Sequence, residues 1–168
     1  MELKALFLGQ LEREAAAARK TIERVPEGHN DWKPHEKSMA LGYLAALVAT
    51  MPGWAEFMID RDELDLAGRE GEKFKTHGFA TRNEMLKALD DGLERSRRAL
   101  QNTTEEHLLK PWRFAMNGQT LFEAPRYQVL SESLFCHLAH HRGQLTVYLR
   151  LNDAKVPAIY GPSADEFR

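Results

Sequence analysis

The chain has 168 residues, 43% of them hydrophobic and 29% charged, with 23 basic against 25 acidic side chains and a formal charge of −2. That is enough chain to bury a core without metal or disulfide staples, and its composition is too ordinary for an intrinsically disordered protein. Basic residues are scattered rather than gathered, no stretch approaches the roughly twenty apolar residues that span a bilayer, and one cysteine, Cys136, allows no internal disulfide.

Neither nucleic acid nor membrane is therefore expected as a partner. The N-terminus alternates charge with apolar residues (Glu2, Lys4, Glu12, Arg13) and lacks the unbroken core of a signal peptide, so a cytoplasmic location is expected.

A first amphipathic helix is predicted over 3–25, with Phe7, Leu11, Ala15, Ala18, Ile22 and Val25 on one face. Pro26 and Gly28 end it, and Trp32 to Lys37 reads as an extended linker because each proline disfavours helix in the residue before it. Ser38 is the expected N-cap of a second helix over 39–59, apolar nearly all round from Met39 to Met51 and kinked at Pro52-Gly53. The charged, glycine-bearing stretch from Asp60 to Gly78 reads as a surface connection.

A third helix is predicted over 81–102. Thr81 with Glu84 three residues on forms a capping box, and Leu86, Leu89, Leu93, Ser96 and Leu100 make a packing seam. Between it and the last helix, Asn117-Gly118 suits a tight turn, giving either a small hairpin or a plain loop. The fourth helix spans 125–151, opening at Pro125 and stopped by Asn152-Asp153, and the proline-bearing tail 152–168 should lie extended over the other segments. The expected fold class is all-α: one domain over 1–168, with four long helices and long connections.

The chemistry concentrates in the fourth helix. Leu130, Leu134, His137, His141, Leu145 and Tyr148 recur at helical spacing, so two imidazoles fall on the stripe that should face the core. Residues four apart meet over one turn, so His137 and His141 can share a divalent ion or hydrogen-bond to buried neighbours, and for a pair alone the second is the commoner outcome. His140 falls to the side, near Cys136 and Val147. Cys136 itself reads as a small buried hydrophobe. Trp32, Trp54 and Trp112 stand near segment ends and are expected to close the ends of the helical core, while His29, His35, His77 and His107 fall in polar connections with solvated or capping roles.

Four strings carry a family resemblance: Lys37 to Ala45, Met51-Pro52-Gly53-Trp54, His137-Leu138-Ala139-His140-His141-Arg142-Gly143-Gln144-Leu145, and the tail from Val156 to Glu166. They resemble the DinB family of damage-inducible, YfiT-like proteins. The resemblance implies a four-helix bundle, often a homodimer, with a divalent metal such as zinc or nickel held by three histidines. Relatives include thiol-dependent transferases and isomerases, and many members are described as metal-dependent hydrolases.

In the family pattern the fourth helix supplies a His-x-x-x-His pair, matched here by His137 and His141, and the second helix supplies the third ligand. Leu47 stands at that third position. Met51 and Tyr43 lie one turn away, and His35, Asp165 or Glu166 can approach only from outside the helix. Two readings follow. One is a metal-dependent hydrolase or thiol transferase that finds its third ligand elsewhere. The other is a metal-free dimer that binds a small molecule or a protein, and the loss at Leu47 favours it. Arg142 and Gln144 are expected as polar contacts at the rim of the site.

Overall fold

A computed structural model describes residues 2–68, 71 and 78–166. Helix α1 spans Leu3–Ile22 and buries the face read from its periodicity, with Phe7, Leu11, Ala15, Ala18 and Ile22 at most 3% exposed. Its outward residues tie it to its neighbour α4 (Arg82–Asn102), where Arg97 grips the Glu12 carboxylate at 2.7 and 3.1 Å.

Helix α2, Leu41–Thr50, runs through the centre and is buried on most sides, as its unbroken apolar run requires. Its N-cap is Ala40 rather than the expected Ser38, because the connection from Trp32 stays in turns and bends up to that point. Pro52 and Gly53 then break the helix into a 3-10 turn, Met51–Gly53, before α3 resumes over Trp54–Asp60. Gly53 and Gly92 of α4 sit so close that a Cβ on Gly53 would lie 3.1 Å from the Gly92 Cα, so a side chain at either position would require the facing backbone to give by a few tenths of an ångström. Ser96, on the predicted seam, is fully buried and its Oγ accepts from the Glu56 backbone N–H at 3.1 Å, satisfying a donor in the first turn of α3. The capping box of α4 is present as predicted, with Thr81 accepting from the Glu84 N–H.

The all-α expectation is corrected by a three-stranded sheet, ordered β1-β2-β3. After the short helix α5 (Glu105–Leu109), β2 (Pro111–Met116) and β3 (Gln119–Pro125) form the antiparallel hairpin that was one of the two readings. Asn117 and Gly118 make its turn with φ of 52° and 75°, the left-handed values that match strand twist. The unforeseen strand is β1, Glu63–Asp65, which pairs parallel to β2 within the stretch read as a plain connection. Three residues are too few to show a period of two, and their partner lies about fifty positions away along the chain. Asp65 fastens the arrangement: its carboxylate accepts from the backbone N–H groups of Gly118 (2.6 Å), Ala67 (2.9 Å) and Asn117 (3.0 Å), which hold it below the usual carboxylate range.

The last helical segment is three pieces in series. Pro125 precedes α6 (Arg126–Val129), a π-helical stretch follows over Leu130–Cys136, and α7 runs His137–Leu151. The wider π turns shift the helical phase, so Leu138 is fully buried while His137 is half-buried. Cys136, expected inside as a small hydrophobe, is exposed, because it lies beside exposed His140 and off the buried stripe. The tail folds back along the helices as expected: Asp165 accepts from Arg150 and from the Val156 N–H, and Glu166 from Arg24 at 2.7 Å and the Ala158 N–H at 3.0 Å. The helices share one hydrophobic core. Among the described residues no helix is long and apolar enough to cross a membrane. His77 lies outside the described residues.

Candidate functional site

The sheet and the helices enclose a cavity of about 850 Å³, of the size that takes a small molecule. One wall comes from β2, where Trp112, Phe114 and Met116 alternate onto a single face of the strand, and from Phe122, the cross-strand partner of Phe114. Their rings form one slab, with Phe114 and Phe122 centroids 5.3 Å apart and Trp112 stacked on Phe114 at 6.3 Å. Tyr43 and Leu47 of α2, Trp54 and Met58 of α3 and Leu64 of β1 close the other sides. Two of the three tryptophans assigned to end-closing thus line the cavity, while Trp32 packs edge-on against Tyr148 at 5.5 Å. The indole N–H of Trp112 has no hydrogen-bond partner among the described residues.

The polar lining comes from the start of the last helix: Glu132, Ser133, His137 and His140. Hydrogen bonds from i to i+5 widen the π turn, so Glu132 and His137, five apart, come onto one side of it. Sequence reasoning missed Glu132, because on an α-helical wheel it points away from the histidines; a π turn leaves no sequence signal that separates it from an α-helix.

His137 and His141 meet as predicted. Their Nε2 atoms are 2.8 Å apart, and His141 Nδ1 lies 2.8 Å from Gln144 Oε1. With Gln144 accepting from the Nδ1–H, His141 turns its Nε2 lone pair toward His137. Trp54 covers His137 at 5.9 Å between centroids. Burial pushes both imidazoles below their ordinary range; the neighbouring His141 and His140 add to this for His137, and His140 adds for His141. Bonds to the Ser133 backbone and to Gln144 pull the other way. The result is a neutral pair at the edge of an apolar cavity.

A metal held by three protein ligands does not fit this donor set. Two nitrogens converge, but Leu47 lines the same cavity and offers no lone pair. The outside candidates are committed elsewhere: His35 Nδ1 accepts from the Lys37 N–H at 3.2 Å, and Asp165 and Glu166 hold the tail. Met51 is fully buried in the core. Among the described residues no three His, Cys, Asp or Glu side chains group so as to hold an ion. His29 pairs with Asn152 at 2.9 Å, and His107 Nε2 meets the Ile59 carbonyl at 2.9 Å, tethering the end of α3.

Arg142, expected at the rim, points the other way. It is 1% exposed, pairs with the Glu14 carboxylate at 2.7 Å, donates to the Glu14 carbonyl at 3.2 Å and reaches the Tyr160 hydroxyl. Tyr160 in turn donates to Glu14 at 2.8 Å, so the node fastens the tail to α1 and α7. Gln144 meets His141 but does not itself line the cavity.

The model of the DinB family matches residues 1–167. This chain belongs to the DinB family. Two solved DinB-like proteins share its fold. One, from Bacillus subtilis, has 19% identity and a TM-score of 0.67, covering 90% of this chain and 96% of its own. The other, from Bacillus cereus, has 18% identity and a TM-score of 0.68, covering 92% and 95%. No curated protein matches the chain. At these identities the likeness to DinB-like structures establishes the fold, and the chemistry must be argued from this chain's own residues.

Proposed function

We propose that this DinB-family protein binds an apolar small molecule in the cavity between its sheet and helices, and does so without a three-histidine metal site. The observation that carries the reading is the side chain of Leu47 in the cavity wall beside His137, where the family pattern places a ligand. An aliphatic group there extends the apolar surface formed by Trp54, Trp112, Phe114 and Phe122, so the loss of a donor is also a gain in area for a ligand. The neutral, mutually bonded histidines fit a role as a fixed polar contact at the end of that surface.

A second reading has one observation in its favour, the convergence of two Nε2 atoms at 2.8 Å. In it, His137 and His141 hold zinc or nickel with a third donor brought by the ligand, as in a metal-dependent hydrolase or thiol transferase. Equilibrium dialysis against zinc and nickel separates the two. The native chain and His141→Ala should both bind well below one ion per chain, while Leu47→His should approach about one. Stoichiometric binding by the native chain that His141→Ala abolishes would establish the second reading instead. The homodimer implied by the family resemblance is part of the proposal, and light scattering of the purified chain reads it directly.

A further inference from the structure

We propose that the cavity selects a lipophilic aromatic ligand carrying one positive charge, of which an arylalkyl ammonium is the simplest form. The proposal rests on the small-molecule reading above and adds a ligand class to it. Its first support is the wall: five aromatic side chains, Tyr43, Trp54, Trp112, Phe114 and Phe122, surround the space, and each ring face attracts a cation through its quadrupole while repelling an anion.

The second support is the charge around the opening. Among the described lining residues there is one carboxylate, Glu132, and no lysine or arginine. Glu132 receives a hydrogen bond from the neutral Gln128 amide at 3.2 Å and has no ion-pair partner among the described residues. Other surface carboxylates are placed differently: Glu12, Glu56, Glu63, Glu94 and Asp90 each face an arginine.

The third support is placement. The π turn sets exposed Glu132 on the same side as His137, which neighbours Trp54, so the carboxylate stands at the solvent edge of the cavity while Trp112 lies buried in its wall. A ligand with an apolar ring system and an ammonium one or two bonds away fits that order: the rings enter, and the charge stays at the mouth beside Glu132, partly hydrated. An anion of the same shape is repelled there by the Glu132 carboxylate and by the aromatic faces.

The test uses three probes of one shape and different charge: 2-naphthylmethylamine, 2-ethylnaphthalene and 2-naphthylacetate, each competing with the neutral dye Nile red on the full chain. The amine should bind about tenfold more tightly than the ethyl compound, and the acetate more weakly than both. In Glu132→Gln, an exposed and conservative change, the amine's advantage should fall to about threefold or less, with 2-ethylnaphthalene unchanged. Added salt should reduce the advantage in the native chain and leave the variant nearly unaffected. Equal binding of amine and ethyl compound, or tightest binding of the acetate, overturns the charge selection while leaving the cavity a small-molecule site. An amine advantage undiminished in Glu132→Gln overturns it as well. Failure of Nile red and all three probes to bind overturns the small-molecule reading itself.

Discussion

His141 and Arg142 are neighbours in the chain, both buried at 8% and 1% exposure, and they illustrate two uses of a buried polar group. Arg142 is closed off. Its guanidinium meets a carboxylate, a carbonyl and a phenol, lies 5.1 Å from the Tyr160 ring centre, and belongs to a network that joins α1, α7 and the tail. Among the described residues the His137–His141 pair has itself, Gln144 and the Ser133 backbone for hydrogen-bond partners, and it borders a large cavity. A polar group with every valence met holds structure together, whereas one held at the edge of open space is available to something that enters.

Breaking the closed node should have the largest effect. Arg142→Leu leaves Glu14 buried without its cation and should cost about 3–5 kcal/mol, read as a lower urea midpoint. Leu47→Ala, on the cavity side, should cost about 2 kcal/mol, the low end for such a truncation because the side chain already borders a void. A loss from Leu47→Ala equal to that from Arg142→Leu would erase the distinction between the two regions.

The histidine pair should reveal itself through pH. Both imidazoles are held below their ordinary value of 6.5, so the unfolded chain takes up these protons first as pH falls. Their contribution to stability is complete above that value and is lost as pH drops through and below it. Melting temperatures of the native chain and a His137→Gln/His141→Gln variant should therefore converge on acidification. The smallest effect belongs to the tail. Arg150 and the Val156 N–H hold Asp165 below the usual carboxylate range, so its contribution is present above that range and lost as pH falls through the lowered value. Hydrogen exchange at the Val156 amide should quicken in Asp165→Asn at neutral pH and match the native chain in strong acid.

Much of this was legible in the residues. The α1 stripe, the Thr81 capping box and the Asn117-Gly118 turn were readable because each depends on chemistry within a few positions. The meeting of His137 with His141 was readable for the same reason, one helical turn being a local distance. Cys136 was misplaced because its expected burial rested on residue type, whereas its helical phase sets it beside exposed His140 and Val147, off the buried stripe. Arg142 was misplaced because its partners, Glu14 and Tyr160, lie far along the chain on one side and beyond the helix on the other.

What the sequence by itself determined is the four long helical segments, the tight hairpin turn and the imidazole pair. All of these follow from periodicity, capping and turn geometry, which act over short separations. Only the tertiary structure decided that β1 would join the hairpin, that Trp112, Phe114 and Phe122 would face Leu47 across a cavity, and that Glu132 would stand at its mouth. Those outcomes depend on contacts between segments distant in the chain, whose free energy appears only when the packed core brings them together.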